Sequence, residues 1–207
     1  MDSQPTVFIV DDDPAMRESL RWLIESVGLA VETYGAARDF LDSYDPSRSG
    51  CLVLDVRMPG LSGLDLQSEL TKQQIRIPTI IITGYAEVPM AVRALKEGAI
   101  DFIEKPFSDQ HLLDRIRQAI EADRQARLVS AAQDDIADRH ERLTPRERQV
   151  MAMVVEGKSN KSIAQDFGLS DKTVEVHRAK VMEKMRARSL AELIKMHLIL
   201  NGDKGKP

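Results

Sequence analysis

Through the first 120 residues, short apolar runs alternate with amphipathic stretches: TVFIV, LAVETY, CLVL, PTIIIT and AIDFI are each followed by a helical pattern such as PAMRESLRWLIESVG or SGLDLQSELTKQ. Runs this short, rich in β-branched residues and apolar at successive positions, suit strands buried on both faces. Five strand-helix units in succession therefore predict a parallel sheet covered by helices on both sides. Local signals agree with the helix limits. Asp13 before Pro14 offers an N-cap and a first-turn proline, and Gly28 and Gly98 stand where two helices should stop.

From about Gln118 to Arg142 the chain is charged and Ala-rich, without Gly or Pro, which suits a helical linker, with a loose tether as the alternative. The pattern then changes to helices alone. Thr144-Pro145-Arg146-Glu147 reads as a capping box, and Ser189-Leu190-Ala191-Glu192 repeats the device. Gly157 and Gly168 end short helical segments, and Ser159 and Ser170 can cap the next ones. The expected organisation is an α/β domain over 5–120, a linker over 121–142, an all-α four-helix unit over 143–200 and a disordered tail over 201–207.

Charge divides the same way. Residues 1–120 carry 12 Lys/Arg against 19 Asp/Glu, a net −7; residues 121–142 carry 4 against 6, a net −2; residues 143–207 carry 13 against 8, a net +5. A basic unit tethered to an acidic one points to a polyanion as the partner of the C-terminal part. No apolar stretch approaches the roughly 20 residues of a membrane span, and no export signal is visible at the N-terminus, so a cytoplasmic protein with no membrane partner is expected. The single cysteine, Cys51, lies in a strand-like run and reads as a small core residue. His111, His140 and His197 show no ligand spacing.

In an open parallel sheet, ligands bind at the carboxyl ends of the strands. The residues that follow the runs here are Asp11, Asp12 and Asp13 after TVFIV, Asp55 after CLVL, Thr83 after PTIII and Lys105 after AIDFIE. Three carboxylates gathered at one edge repel each other, and a hard divalent cation such as Mg²⁺ relieves that repulsion with oxygen ligands. Lys105 can then balance an incoming phosphoryl group, the Thr83 hydroxyl can donate to it, and Asp55 can act as the nucleophile, giving an acyl phosphate. Asp13 reads better as an N-cap than as a ligand.

This constellation resembles the receiver domain of two-component response regulators, with the matching motifs in VDDD, LDVRMPG, IITGY and EKPF. The resemblance implies a flavodoxin-like doubly wound fold with five parallel strands in the order 2-1-3-4-5. It implies phosphorylation of Asp55 by a sensor histidine kinase, with Mg²⁺ held by Asp11, Asp12, Asp55 and the backbone carbonyl of Arg57. It also implies a cis bond between Lys105 and Pro106, and a switch through Thr83 and Phe102. Phe102 stands where the family more often has Tyr, so its movement would act sterically. Tyr85, two residues after Thr83, is bulkier than the family's usual residue and bears on water access to the phosphate.

SNKSIAQDFGLSDKTVEVHRAKVMEKM has the layout of a helix-turn-helix, with Ile163 and Ala164 buried in the first helix and Val174, Val181 and Met185 facing the core from the second. Lys172, Glu175, Val176, Ala179 and Lys180 form another face, suited to base edges in a major groove. Asn160, Lys161, Thr173, His177 and Arg178 are placed for phosphates. Residues 143–200 resemble the LuxR/FixJ-type DNA-binding domain, through LTPRERQVMAMVVEGKSNKSIA and TVEVHRAKVMEKM. By resemblance the last helix supplies a dimer interface, and the site on promoter DNA is a near-palindrome.

The whole resembles the FixJ subfamily of response regulators. The implied function is a phosphorylation-dependent transcription factor that is a homodimer when phosphorylated, with RNA polymerase as a further candidate partner, and that is not an enzyme. One alternative is a phosphatase working through an aspartyl-phosphate. Such enzymes often place a second Asp two residues beyond the nucleophile, where Arg57 stands here. Another is a phospho-switch whose tail binds protein rather than DNA.

Overall fold

The computed structural model describes residues 4–85 and 87–202, in two compact units that divide after Arg127. The first unit holds β1 (Thr6–Val10), α1 (Pro14–Glu25), β2 (Ala30–Tyr34), α2 (Ala37–Ser43), β3 (Gly50–Asp55), α3 (Gly63–Lys72), β4 (Thr79–Thr83), α4 (Val88–Lys96) and β5 (Asp101–Glu104). The long helix α5 (Asp109–Glu141) begins in this unit. The strands are all parallel, in the order β2-β1-β3-β4-β5.

Alternation along each buried strand divides the core into two layers. Phe8, Val10, Leu52, Leu54 and Ile81 point to the side covered by Phe40 of α2, Leu66 and Leu70 of α3 and Ala94 of α4. Val7, Ile9, Cys51, Val53, Ile80 and Ile82 point to the other side, against Leu20 and Ile24 of α1 and Leu112, Leu113 and Ile116 of α5. Both faces are dry, which is why β1, β3 and β4 read as continuous apolar runs and not as alternating ones. Edge strand β2 is half-buried along its length and carries Glu32 and Thr33 instead.

Two glycines are required by close approach. A Cβ on Gly50 would lie 1.8 Å from the Thr6 carbonyl oxygen, and one on Gly63 would lie 2.1 Å from that of Asp55. The second contact lets α3 start directly against the strand that ends in Asp55.

The second unit packs α6 (Pro145–Val155), α7 (Asn160–Phe167), α8 (Asp171–Met185) and α9 (Leu190–Gly202) around Val150, Met151, Ile163, Val174, Val181, Met185 and Leu193. Side chains accept from the orphan amides that open helices: Asp13 caps α1, Ser62 caps α3, Thr144 caps α6 in a full capping box, Ser159 caps α7 and Ser170 caps α8. Each is worth about 1 kcal/mol over Ala. The α9 start departs from the expected box. Ser189 accepts from the Glu192 amide, but the Glu192 carboxylate reaches the Arg188 amide, one residue earlier than the cap (2.8 Å). The helix also runs on to Gly202, where a disordered tail over 201–207 is expected. The Asn201 amide lies 2.9 Å from the His197 ring, one turn back, and supports that last turn. Residues 203–207 lie outside the described residues.

Candidate functional site

The carboxyl edge of the sheet brings Asp11, Asp55 and Lys105 together. β1 and β3 are buried along their whole length, so they deliver Asp11 and Asp55 to one shielded edge, and both side chains are almost fully buried. Lys105 reaches in from the loop after β5, with Nζ 2.6 Å from Asp55 Oδ1 and 2.9 Å from Asp11 Oδ2. The Lys105-Pro106 peptide in that loop is cis. The remaining carboxylate oxygens meet backbone donors. Asp55 Oδ2 accepts from the Arg57 amide (2.7 Å), and Asp11 Oδ1 accepts from the Asp13 amide (2.9 Å).

Electrostatics in this pocket do not follow those of a simple ion pair. Burial pushes the Asp55 carboxyl above its usual range, and Asp11 adds to that, while Lys105 and the Arg57 amide work against it. Burial also acts to lower Lys105, but contacts to both Asp55 and Asp11 outweigh it and the ammonium is held above its usual value. Both values are raised, because burial outweighs what Asp55 gains from Lys105, while Lys105 gains from two carboxylates at once.

Asp12 is exposed beside this cluster, and among the described residues no three carboxylate or imidazole groups form a ready metal cage. The donor set nevertheless fits a hard cation. Asp11 and Asp55 share one ammonium, leaving one negative charge in excess, Asp12 is their exposed sequence neighbour, and every candidate ligand is an oxygen. Thr83 closes β4 fully buried, with its hydroxyl oxygen 3.3 Å from both the amide nitrogen and the carbonyl oxygen of Tyr85. Phe102 is partly buried and packs against the core layer that includes Ala94 of α4. Nothing in the sequence motifs points to Arg17, whose Nη1 donates to the Asp11 carbonyl at 2.6 Å and ties α1 to the acidic loop. Its one signal is a cation one turn beyond the Asp13 cap.

In the second unit, Lys172, Glu175, Val176, Ala179 and Lys180 are all exposed on α8, and Val176 is 49% exposed. Beside them on α7, Lys161 is exposed. Asn160, Thr173, His177 and Arg178 are half-buried and engaged in the fold to different degrees. The Arg178 guanidinium donates to Asn160 Oδ1 (2.7 Å), joining α8 to the start of α7, and the Thr173 hydroxyl lies 2.8 Å from that of Ser170.

Comparison with known proteins agrees with both halves. Residues 7–117 match the response regulator receiver domain, and residues 141–197 match the luxR family of bacterial regulatory proteins. The chain is 52% identical over 190 residues to nodulation protein W of Bradyrhizobium diazoefficiens, covering 92% of this chain and 84% of that one. It is 48% identical over 198 residues to the transcriptional regulatory protein FixJ of Rhizobium meliloti, covering 93% and 95%. Among solved structures, response regulator StyR matches with a TM-score of 0.86 at 45% identity, over 94% of this chain and 98% of that one. Full-length FixJ from B. japonicum matches with a TM-score of 0.58 at 43% identity, over 97% and 98%. The chain belongs to the response regulators of two-component systems, in which a receiver domain is joined to a LuxR-type DNA-binding domain to regulate transcription in response to phosphorylation.

Proposed function

We propose that Asp55 accepts a phosphoryl group from a phosphohistidine of a sensor histidine kinase, and that this promotes receiver dimerisation and promoter binding. The observation that carries the reading is the buried Asp55 carboxylate at the end of β3, with the Lys105 ammonium 2.6 Å away. In the transfer, a carboxylate oxygen of Asp55 forms the new P–O bond while the P–N bond to histidine breaks, and the departing nitrogen keeps the electron pair. Lys105 is already seated where the arriving phosphoryl oxygens need a positive charge, and the amide on Asp55 Oδ2 orients the carboxylate. Asp11, Asp12, Asp55 and the Arg57 carbonyl are the groups that would hold Mg²⁺. The ion supplies charge neutralisation for an in-line phosphoryl transfer. Arg57 offers no carboxylic acid for a second, hydrolytic half-reaction, which disfavours a phosphatase.

Phosphorylation is expected to act through Thr83 and Phe102, which link the pocket to the face built from α4, β5 and α5, roughly residues 87–119. That face has an apolar stripe. Val88 is 78% exposed, and Val92 and Leu95 follow it at helical spacing on α4. Leu190, Leu198 and Ile199 are exposed on α9 and suit a second dimer contact. Two copies of α8 would then read the half-sites of a near-palindrome, with Lys172, Glu175, Val176, Ala179 and Lys180 toward the bases. Asn160, Lys161, Thr173, His177 and Arg178 would face the phosphates. The protein is proposed to act in the cytoplasm, with RNA polymerase as a further contact. A gel shift on the protein's own promoter region tests this. Acetyl phosphate with Mg²⁺ should tighten binding, and an unchanged shift with either component omitted would refute the phospho-dependence.

A further inference from the structure

Asp123 is 3% exposed, although it lies in a charged, Ala-rich stretch whose composition suggests a solvated helix. Its Oδ2 accepts from the Gly50 amide (2.9 Å) and from Arg127 Nε (2.8 Å). Arg127 turns its other donors to the loop before β3, with Nη1 on the Ser47 carbonyl (3.0 Å) and Nη2 on the Pro46 carbonyl (3.1 Å) and the Arg48 carbonyl. Three carbonyls thus wrap one guanidinium, a geometry that suits a planar fork and not an ammonium.

Burial gives this pair its weight. Exposed ion pairs such as Arg124 with Glu121 hold little, whereas a carboxylate taken out of water is costly to separate from its donors. The surroundings are equally dry. Burial pushes the Tyr44 phenol and the Cys51 thiol each up to about 12, with the Asp123 charge adding to both. Gly50 cannot yield, because a Cβ there would overlap the Thr6 carbonyl. Gly50 also opens β3, the strand whose other end is Asp55. Beyond Arg127 the helix has no such anchorage for two turns, since residues 128–135 are all exposed.

We propose that the Asp123–Arg127 clamp fixes the start of the linker helix to the amino edge of the receiver sheet, and that the phosphorylation state of Asp55 reaches the DNA-binding domain through this attachment. The second half of the proposal rests on the function proposed above. The first half stands on the geometry of the clamp. Helix α5 up to Arg127 moves with the receiver, and the linker becomes free only from Leu128.

The test uses the full chain as wild type, Arg127→Ala and Arg127→Lys. Labelling of Asp55 by acetyl phosphate should be alike in all three, since the clamp lies at the far end of β3. In Arg127→Ala, amides of residues 121–131 should exchange with solvent about ten-fold faster, and phosphorylation should lose about ten-fold of its effect on DNA affinity, roughly 1.4 kcal/mol. Arg127→Lys should fall between. Millimolar guanidinium, but not sodium chloride, should slow the exchange again in Arg127→Ala by refilling the cradle. Unchanged exchange in Arg127→Ala would overturn the attachment. Faster exchange with an intact DNA response would overturn the transmission. A wild-type chain that takes no phosphate on Asp55 would instead refute the underlying function and the transmission, and leave the attachment to be decided by exchange alone.

Discussion

Lys105 Nζ lies 2.6 Å from Asp55 Oδ1, so the loop after the last strand is tied directly to the end of the central one. The contact places a cation where phosphoryl charge would arrive, and it also offsets part of the burial that disfavours an ionised Asp55. Lys105→Ala should slow labelling of Asp55 by acetyl phosphate on the order of 100-fold, the usual loss on removing one preorganised donor. Labelling at the wild-type rate, in a variant shown by circular dichroism to be folded, would remove Lys105 from the chemistry.

The Arg57 guanidinium sits 4.4 Å from the centroid of the Tyr85 ring, and these residues follow Asp55 and Thr83 respectively by two positions. Such a pair at an exposed site is worth about 0.5–1 kcal/mol, so Tyr85→Ala should shorten the lifetime of the phosphorylated protein about two- to five-fold. Arg57→Ala should do the same, and the double variant should add nothing further. The decay of radiolabelled protein measures all three; additive effects would mean that the residues do not act as a pair.

Glu147 is buried in the second unit, where Lys184 Nζ (2.7 Å) and the Thr144 amide (2.8 Å) meet its carboxylate. Burial acts to raise its pKa, but these donors outweigh it and hold the group below its ordinary 4.5. A carboxyl depressed in the folded state gives stability that is present above the unfolded pKa and lost as pH falls through the folded one. Glu147→Gln should therefore cost about 1–3 kcal/mol at neutral pH, and the gap from wild type should narrow below about pH 4.5. Thermal unfolding followed from pH 7 downward checks this, and a gap that widens in acid would contradict it.

Lys161 on α7 and Glu175 on α8 are both exposed but are expected to do different work. Lys161→Ala should weaken binding alike on specific and random DNA and reduce the salt slope by about 1, while Glu175→Ala should relax preference at one base pair. Binding isotherms on a set of operator variants distinguish these outcomes. Equal losses for both variants on every sequence would refute the assignment of Glu175 to base reading.

Much of this was legible in the sequence because the relevant physics is local. β1, β3 and β4 are buried on both faces and so appear as unbroken apolar runs, and Asp13, Thr144, Ser159 and Ser170 cap helices by contacts within three residues. Asp11, Asp55 and Lys105 were traceable because a parallel sheet collects its strand ends at one edge. The Asp123–Arg127 clamp was not, since Asp and Arg four apart on a charged helix look like any solvated pair. Only the loop from Pro46 to Arg48, some 80 positions earlier, supplies the carbonyls that hold the half-buried Arg127 beside the buried Asp123. Arg17 is hidden for the same reason, because its partner is a backbone carbonyl and leaves no trace in residue type.

The central claim is that Asp55 itself takes the phosphoryl group. Intact-mass and peptide measurements after incubation with acetyl phosphate and Mg²⁺ should find one phosphoryl group per wild-type chain, on the peptide containing Asp55, and none on Asp55→Asn. A phosphoryl group retained by Asp55→Asn at wild-type level would contradict the account.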